Sequence, residues 1–130
     1  MAENNKVYGM RFARVYPMLY AKAERKGRSR EEVDEITEWL TGYSREEIAE
    51  LLGSDIAYGD FFQSAPALNP DRKRITGVVC GVRVEEIREP LMQEIRYLDK
   101  LVDELAKGRS MEHIKRQNHE VKSDEEKTGE

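Results

Sequence analysis

A chain of 130 residues fits one domain and leaves little room for two independent cores. With 38% hydrophobic and 37% charged residues, thin amphipathic elements are favoured over a doubly covered sheet of continuously apolar strands. The net charge of -4 hides an asymmetry: residues 1–30 hold eight basic and two acidic side chains, residues 31–68 one basic and ten acidic, so the two segments are expected to neutralise each other in part.

The stretch Met1 to Lys6 is polar, and residues 1–9 read as an N-terminal arm. From Met10 the positions Phe12, Val15, Tyr16, Leu19 and Ala23 follow helical spacing, but Pro17 lacks an amide hydrogen and disfavours the helical region for Tyr16. A first helix is therefore expected from Pro17 to Lys26, stopped by Gly27. Ser29-Arg30-Glu31-Glu32 is a capping box opening a second helix, with Val33, Ile36 and Leu40 inside and Thr41-Gly42 at its end. Ser44-Arg45-Glu46-Glu47 repeats that signal ahead of a short helix with Ile48, Leu51 and Leu52. Ile56, Tyr58, Phe61 and Phe62 suggest a short helical turn pinned to the core.

Asn69-Pro70-Asp71 supplies a cap, a proline at the first helical position and an early carboxylate, a specific helix start. The stretch that follows, residues 75–84, is read as helix, with a short buried strand as the alternative because it is β-branched and holds Gly77 and Gly81. Glu89-Pro90 opens the clearest amphipathic helix, on which Leu91, Ile95, Leu98, Val102 and Leu105 recur at steps of four and three up to Gly108. Ser110 caps a last helical piece with Met111 and Ile114, and residues 117–130 are polar enough to read as a disordered tail. The fold class expected is all-α, a compact bundle of about five helices over residues 10–116, with α+β as the alternative if 75–84 is a strand.

The chemistry is harder to locate. Thr41-Gly42-Tyr43 before Ile48 and Leu51 is similar to a DNA-binding helix-turn-helix, but Glu46, Glu47 and Glu50 on the second helix would repel phosphates. Nucleic-acid binding through the basic residues 6–30 is likewise disfavoured by the acidic total. Arg72, Lys73 and Arg74 at the Pro70 helix start, with Arg83 or Tyr58 nearby, form a candidate site for a small anionic ligand, and a solvated charged face is the competing reading. Leu91, Ile95, Leu98, Val102 and Leu105 are a candidate interface for self-association, unless they close the domain's own core. Tyr16, Tyr20, Tyr43, Tyr58 and Trp39 could line a pocket, but aromatics at helical spacing are more often core, and core packing is the favoured reading. His113 and His119 are wrongly spaced for one helical face, so no metal site is expected, and no cofactor is called for. Cys80, the single cysteine, sits among valines and is expected in the core as a small hydrophobe with a raised pKa. It cannot make an internal disulfide, no membrane-length apolar run is present, and a cytoplasmic protein is expected.

Several segments carry a resemblance: Tyr16-Pro17, residues 21–28, Trp39-Leu40-Thr41-Gly42-Tyr43, residues 81–87 and residues 90–101. Through them the chain resembles a small bacterial family known as domain of unknown function 2200, over roughly Val7 to Ile114. The resemblance implies a bacterial, cytoplasmic setting and a single domain. It implies no activity, cofactor or catalytic residue. The sequence therefore supports a non-enzymatic helical interaction module, with a small anionic-ligand binding protein or an enzyme as the alternative.

Overall fold

The computed structural model describes residues 2–116, with side chains from residue 6 onward; the predicted tail, residues 117–130, lies outside the described residues. Among the described residues there are seven α-helices: α1 (Ala2–Gly9), α2 (Phe12–Glu24), α3 (Arg30–Thr41), α4 (Arg45–Leu52), α5 (Tyr58–Gln63), α6 (Pro90–Ala106) and α7 (Met111–Ile114). A two-stranded antiparallel hairpin, β1 (Val78–Val79) and β2 (Val82–Arg83), pairs Val78 with Arg83 and Val79 with Val82. The fold is thus mostly helical with one small sheet. Among the described residues no helix is long and apolar enough to cross a membrane.

Both capping boxes form as the sequence indicates. The Ser29 hydroxyl accepts from the Glu32 amide at 3.1 Å while the Ser29 amide donates to Glu32 Oε1 at 2.9 Å, and Ser44 and Glu47 repeat the exchange at 3.0 and 2.8 Å. Between α3 and α4 the chain turns at Gly42, whose φ of 85° is left-handed. A Cβ there would stand 2.7 Å from Ala67 Cβ and 2.8 Å from the Ala67 amide nitrogen, so space and backbone conformation both require glycine.

The start of α2 corrects the sequence expectation. The helix begins at Phe12, five residues before Pro17, and carries that proline inside it. Arg11 and Ala57 form an antiparallel bridge, with the Phe12 amide donating to the Ile56 carbonyl at 2.9 Å, and this anchors the helix start. An interior proline costs about 3 kcal/mol, whereas burying one large apolar side chain stabilises by about 1.5–3 kcal/mol. The extra turn buries Phe12 and Tyr16 completely and stacks Phe12 on Phe61 at 4.2 Å and on Tyr16 at 4.7 Å, so the gain outweighs the defect.

Residues 75–84 adopt the strand alternative. The Pro70 helix start is real, with Asn69 Oδ1 accepting from the Asp71 amide at 2.8 Å, but it produces only a 3-10 turn, Pro70–Arg74. The chain then enters the hairpin, where Gly77 and Gly81 both take positive φ, 111° and 79°.

At the centre lies α6, which packs against α2, α3, α5, α7 and the hairpin. Ile95, Leu98, Val102 and Leu105 are completely or almost completely buried within this one chain, and Leu91 packs against the same core. The stripe expected as a possible interface closes the domain's own core. One ion pair and one guanidinium bound to backbone carbonyls brace the far end of α6. Arg116, itself buried, binds Glu104 at 2.6 and 3.1 Å, and the Arg28 guanidinium donates to the Leu105 and Arg109 carbonyls at 3.0 Å each.

Candidate functional site

The anionic-ligand residues read from the sequence do not converge. Arg72 Nε binds Glu94 at 2.9 and 3.1 Å and its Nη1 donates to the Asn69 carbonyl, with both ion-pair side chains largely covered. Arg74 lines a cleft of about 190 Å³ with Thr76, Glu104, His113 and Arg116, where Glu104 already holds Arg116. Arg83 lies on the hairpin beside Glu85 at 3.6 Å, Lys73 is exposed, and Tyr58 is buried on α5. These five residues therefore occupy different parts of the surface and core.

The tyrosines separate as well. The Tyr16 hydroxyl lies 2.9 Å from Asp34 Oδ1 and 2.7 Å from Thr37 Oγ1, Tyr20 donates to the same Asp34 oxygen at 2.8 Å, and Tyr43 donates to the Phe61 carbonyl at 2.7 Å. Burial pushes all three phenols above their ordinary range, Tyr16 the furthest. Each is a satisfied core tyrosine. Tyr58 is different: its hydroxyl is shut off from solvent and has no hydrogen-bond partner among the described residues. Desolvation raises its pKa well above the ordinary value, and the charges of Asp99 and Arg96 both act on it.

Tyr58, Arg96 and Asp99 share the wall of one cleft, about 280 Å³ in volume, between α1, α2, α5, α6 and the hairpin. Val7, Met10, Val15, Met18, Leu19 and Ile95 supply an apolar lining and Cys80 stands in it. A larger depression of about 770 Å³, beside Met10, Arg11, Ala13 and Arg14, brings together only cations and apolar groups in its described lining. The smaller cleft is the better candidate because the buried Tyr58 and the partly buried Arg96 and Asp99 line it together.

Its polar end has a defined geometry. Arg96 Nη1 donates to Asp99 Oδ2 at 2.8 Å, and the Cys80 thiol makes a long contact to the same oxygen at 3.9 Å. Burial raises the Asp99 pKa above the usual carboxylate value, and the hydrogen bond and charge of Arg96, the charge of Lys22 and the thiol oppose that rise without cancelling it.

Cys80 is placed by a two-residue turn. Cys80 at φ 52° and Gly81 at φ 79° are both left-handed, the pattern of a type I′ hairpin turn, which asparagine or glycine adopts far more readily than cysteine. The hairpin is held by the Val84 amide to the Gly77 carbonyl at 2.9 Å, by the Gly77 amide to Glu85 Oε1 at 2.9 Å and by Gln93 Nε2 to the Val84 carbonyl at 2.9 Å. The result corrects the expectation of a core cysteine: the thiol is exposed, at the apex of the hairpin and the edge of the cleft. The error followed from reading 75–84 as a helix, where a residue among valines would face inward. A left-handed non-glycine residue costs on the order of 1–3 kcal/mol, and such strain gathers at functional positions.

Of this group the sequence singled out Tyr58 and, in another role, Cys80. Arg96 and Asp99 were missed, although Asp99 carries a readable signal: it lies four residues after Ile95 and three before Val102, a carboxylate set into the apolar stripe of α6. Among the described residues no group of three or more His, Cys, Asp or Glu side chains is arranged to hold a metal ion.

Residues 6–116 match the model of an uncharacterised protein family conserved in bacteria, DUF2200, and the chain belongs to that family. It is also similar to a solved crystal structure, that of the uncharacterised protein SP1917, at 53% identity and a TM-score of 0.83, over 88% of this chain and 93% of that one. No curated protein matches it.

Proposed function

We propose that this member of a bacterial family binds a small molecule with an apolar body and one hydrogen-bond-accepting oxygen, in the cleft lined by Tyr58, Arg96, Asp99 and Cys80. The observation that carries this reading is the buried Tyr58 hydroxyl without a partner. Leaving a buried hydroxyl unpaired costs about 1–3 kcal/mol, a cost that phenylalanine would avoid with the same packing. A ligand oxygen accepting from Tyr58 accounts for keeping the group. The Arg96–Asp99 pair is close to neutral as a unit, which favours an uncharged polar head over a free anion. Anion binding at Arg72 to Arg74 has less support, because Glu94 already answers Arg72.

The test uses methyl-resolved NMR of the full chain with benzylacetone, a saturated ketone carrying a phenyl ring, and inorganic phosphate in parallel. Benzylacetone is expected to shift the methyl signals of Met18 and Ile95 in a saturable way while phosphate leaves them in place. If benzylacetone moves neither signal, the cleft is not a site of this class, and phosphate shifts near Arg72 would restore the anion reading.

A second reading, an interaction module that self-associates, is supported by a different surface from α6. Among the described residues Met18, Val78 and Val82 are the large apolar side chains left exposed, at 53%, 51% and 40%. Mass in solution across a concentration series tests it: a monomer throughout would end it, and a dimer weakened by Val78→Lys would place the contact on the hairpin.

A further inference from the structure

Cys80, Asp99 and Tyr58 line one largely apolar cleft, and three observations about them are independent. The thiol of Cys80 is exposed on a strained, left-handed turn at the cleft edge. Its sulfur lies 3.9 Å from Asp99 Oδ2, on a carboxylate that Arg96 fixes at 2.8 Å. Tyr58, whose hydroxyl is fully buried and has no hydrogen-bond partner among the described residues, lines the same cleft, and the charges of Asp99 and Arg96 act on it. The apolar lining from Val15, Met18, Leu19 and Ile95 suits a hydrocarbon body.

We propose that Cys80 is a covalent modification site for α,β-unsaturated carbonyl compounds with an apolar body, the thiol adding to the β-carbon while the Tyr58 hydroxyl donates to the carbonyl oxygen. The inference rests on the cleft being a ligand site. In the addition the sulfur proton passes to Asp99 Oδ2 and the sulfur electron pair forms the bond to the β-carbon. The carbon–carbon π pair moves toward the carbonyl, giving an enolate whose oxygen accepts from Tyr58 Oη. The Asp99 carboxylic acid then returns its proton to the α-carbon, leaving a saturated thioether. No group leaves, no co-reactant is consumed, and the net charge is unchanged. Cys80 is the group that touches the reacting carbon, and Tyr58 the one that touches its oxygen.

The experiment treats the full chain with benzylideneacetone, the unsaturated counterpart of benzylacetone, and follows intact mass, then maps the adduct by peptide analysis. One adduct is expected, on Cys80, forming at least roughly tenfold faster in the folded protein than in urea, since preorganised donors act only when folded. Tyr58→Phe is expected to remove that advantage while leaving the rate of alkylation by iodoacetamide unchanged, a readout that a merely structural role of Tyr58 would not separate. Cys80→Ser gives no adduct. Equal rates in native buffer and urea, or a Tyr58→Phe rate equal to that of the unsubstituted chain, would overturn the proposal. Binding of benzylacetone to Cys80→Ser separates the two levels: if it binds and benzylideneacetone does not add, the covalent step falls alone, and if it does not bind, the ligand-site reading falls with it.

Discussion

Tyr16 and Tyr58 are both closed off from water, and they are held in opposite ways. Around Tyr16 every polar group is answered: two oxygens lie within 2.9 Å of its hydroxyl, Tyr20 shares Asp34, and the neighbouring helices start in complete capping boxes. Around Tyr58 the rules that stabilise a core are broken together. A buried hydroxyl is unpaired, a carboxylate is desolvated, a cysteine takes a left-handed turn, and methionine and valine side chains face solvent nearby. The contrast teaches that one small domain can hold a region optimised for packing beside one that gives up stability, and that the second is where a ligand belongs.

The comparison can be broken most easily on the well-packed side. Gly42→Ala is expected to cost about 3 kcal/mol or more, because it adds a Cβ against the Ala67 backbone at a left-handed φ. Urea denaturation measures it, and a loss below about 1 kcal/mol would mean that the α3–α4 turn relaxes freely. The tyrosine pair gives the sharper contrast. Tyr16→Phe should cost about 1–2 kcal/mol through lost hydrogen bonds, whereas Tyr58→Phe should leave stability unchanged or raise it by up to about 1 kcal/mol. Similar losses at both sites would show that Tyr58 is answered after all. Smallest is Cys80→Asn, which suits the type I′ turn and should stabilise by about 0.5 kcal/mol while abolishing the benzylideneacetone adduct. A destabilised variant would remove strain from the account of the turn.

Most of the helical frame was legible in the sequence because its signals are local. Ser29 with Glu32, Ser44 with Glu47, and Ser110 ahead of Met111 place three helix starts within a few residues of the cause. What failed depended on distant partners. Pro17 alone argues for a helix beginning there, and only the bridge to Ala57 and the stacking on Phe61 carry the helix back to Phe12. In residues 75–84, helical and extended periodicity compete over a short run, and Cys80-Gly81 between Val78-Val79 and Val82-Arg83 was the hairpin signal that could have decided it. The candidate site was the least legible part. It joins Tyr58, Cys80 and Asp99 from three separate elements, and no short spacing encodes their meeting.

The placement of α6 has a consequence for biosynthesis. The helix that α2, α3 and α5 pack against begins only at Pro90, so a ribosome has made all the earlier helices before it adds the one that unites them. At about 5–20 residues per second, the nascent segment spends several seconds with its aromatic surfaces awaiting their central partner. Its exposure to chaperones and proteases during synthesis is set less by the strength of the finished core than by how late in translation α6 arrives.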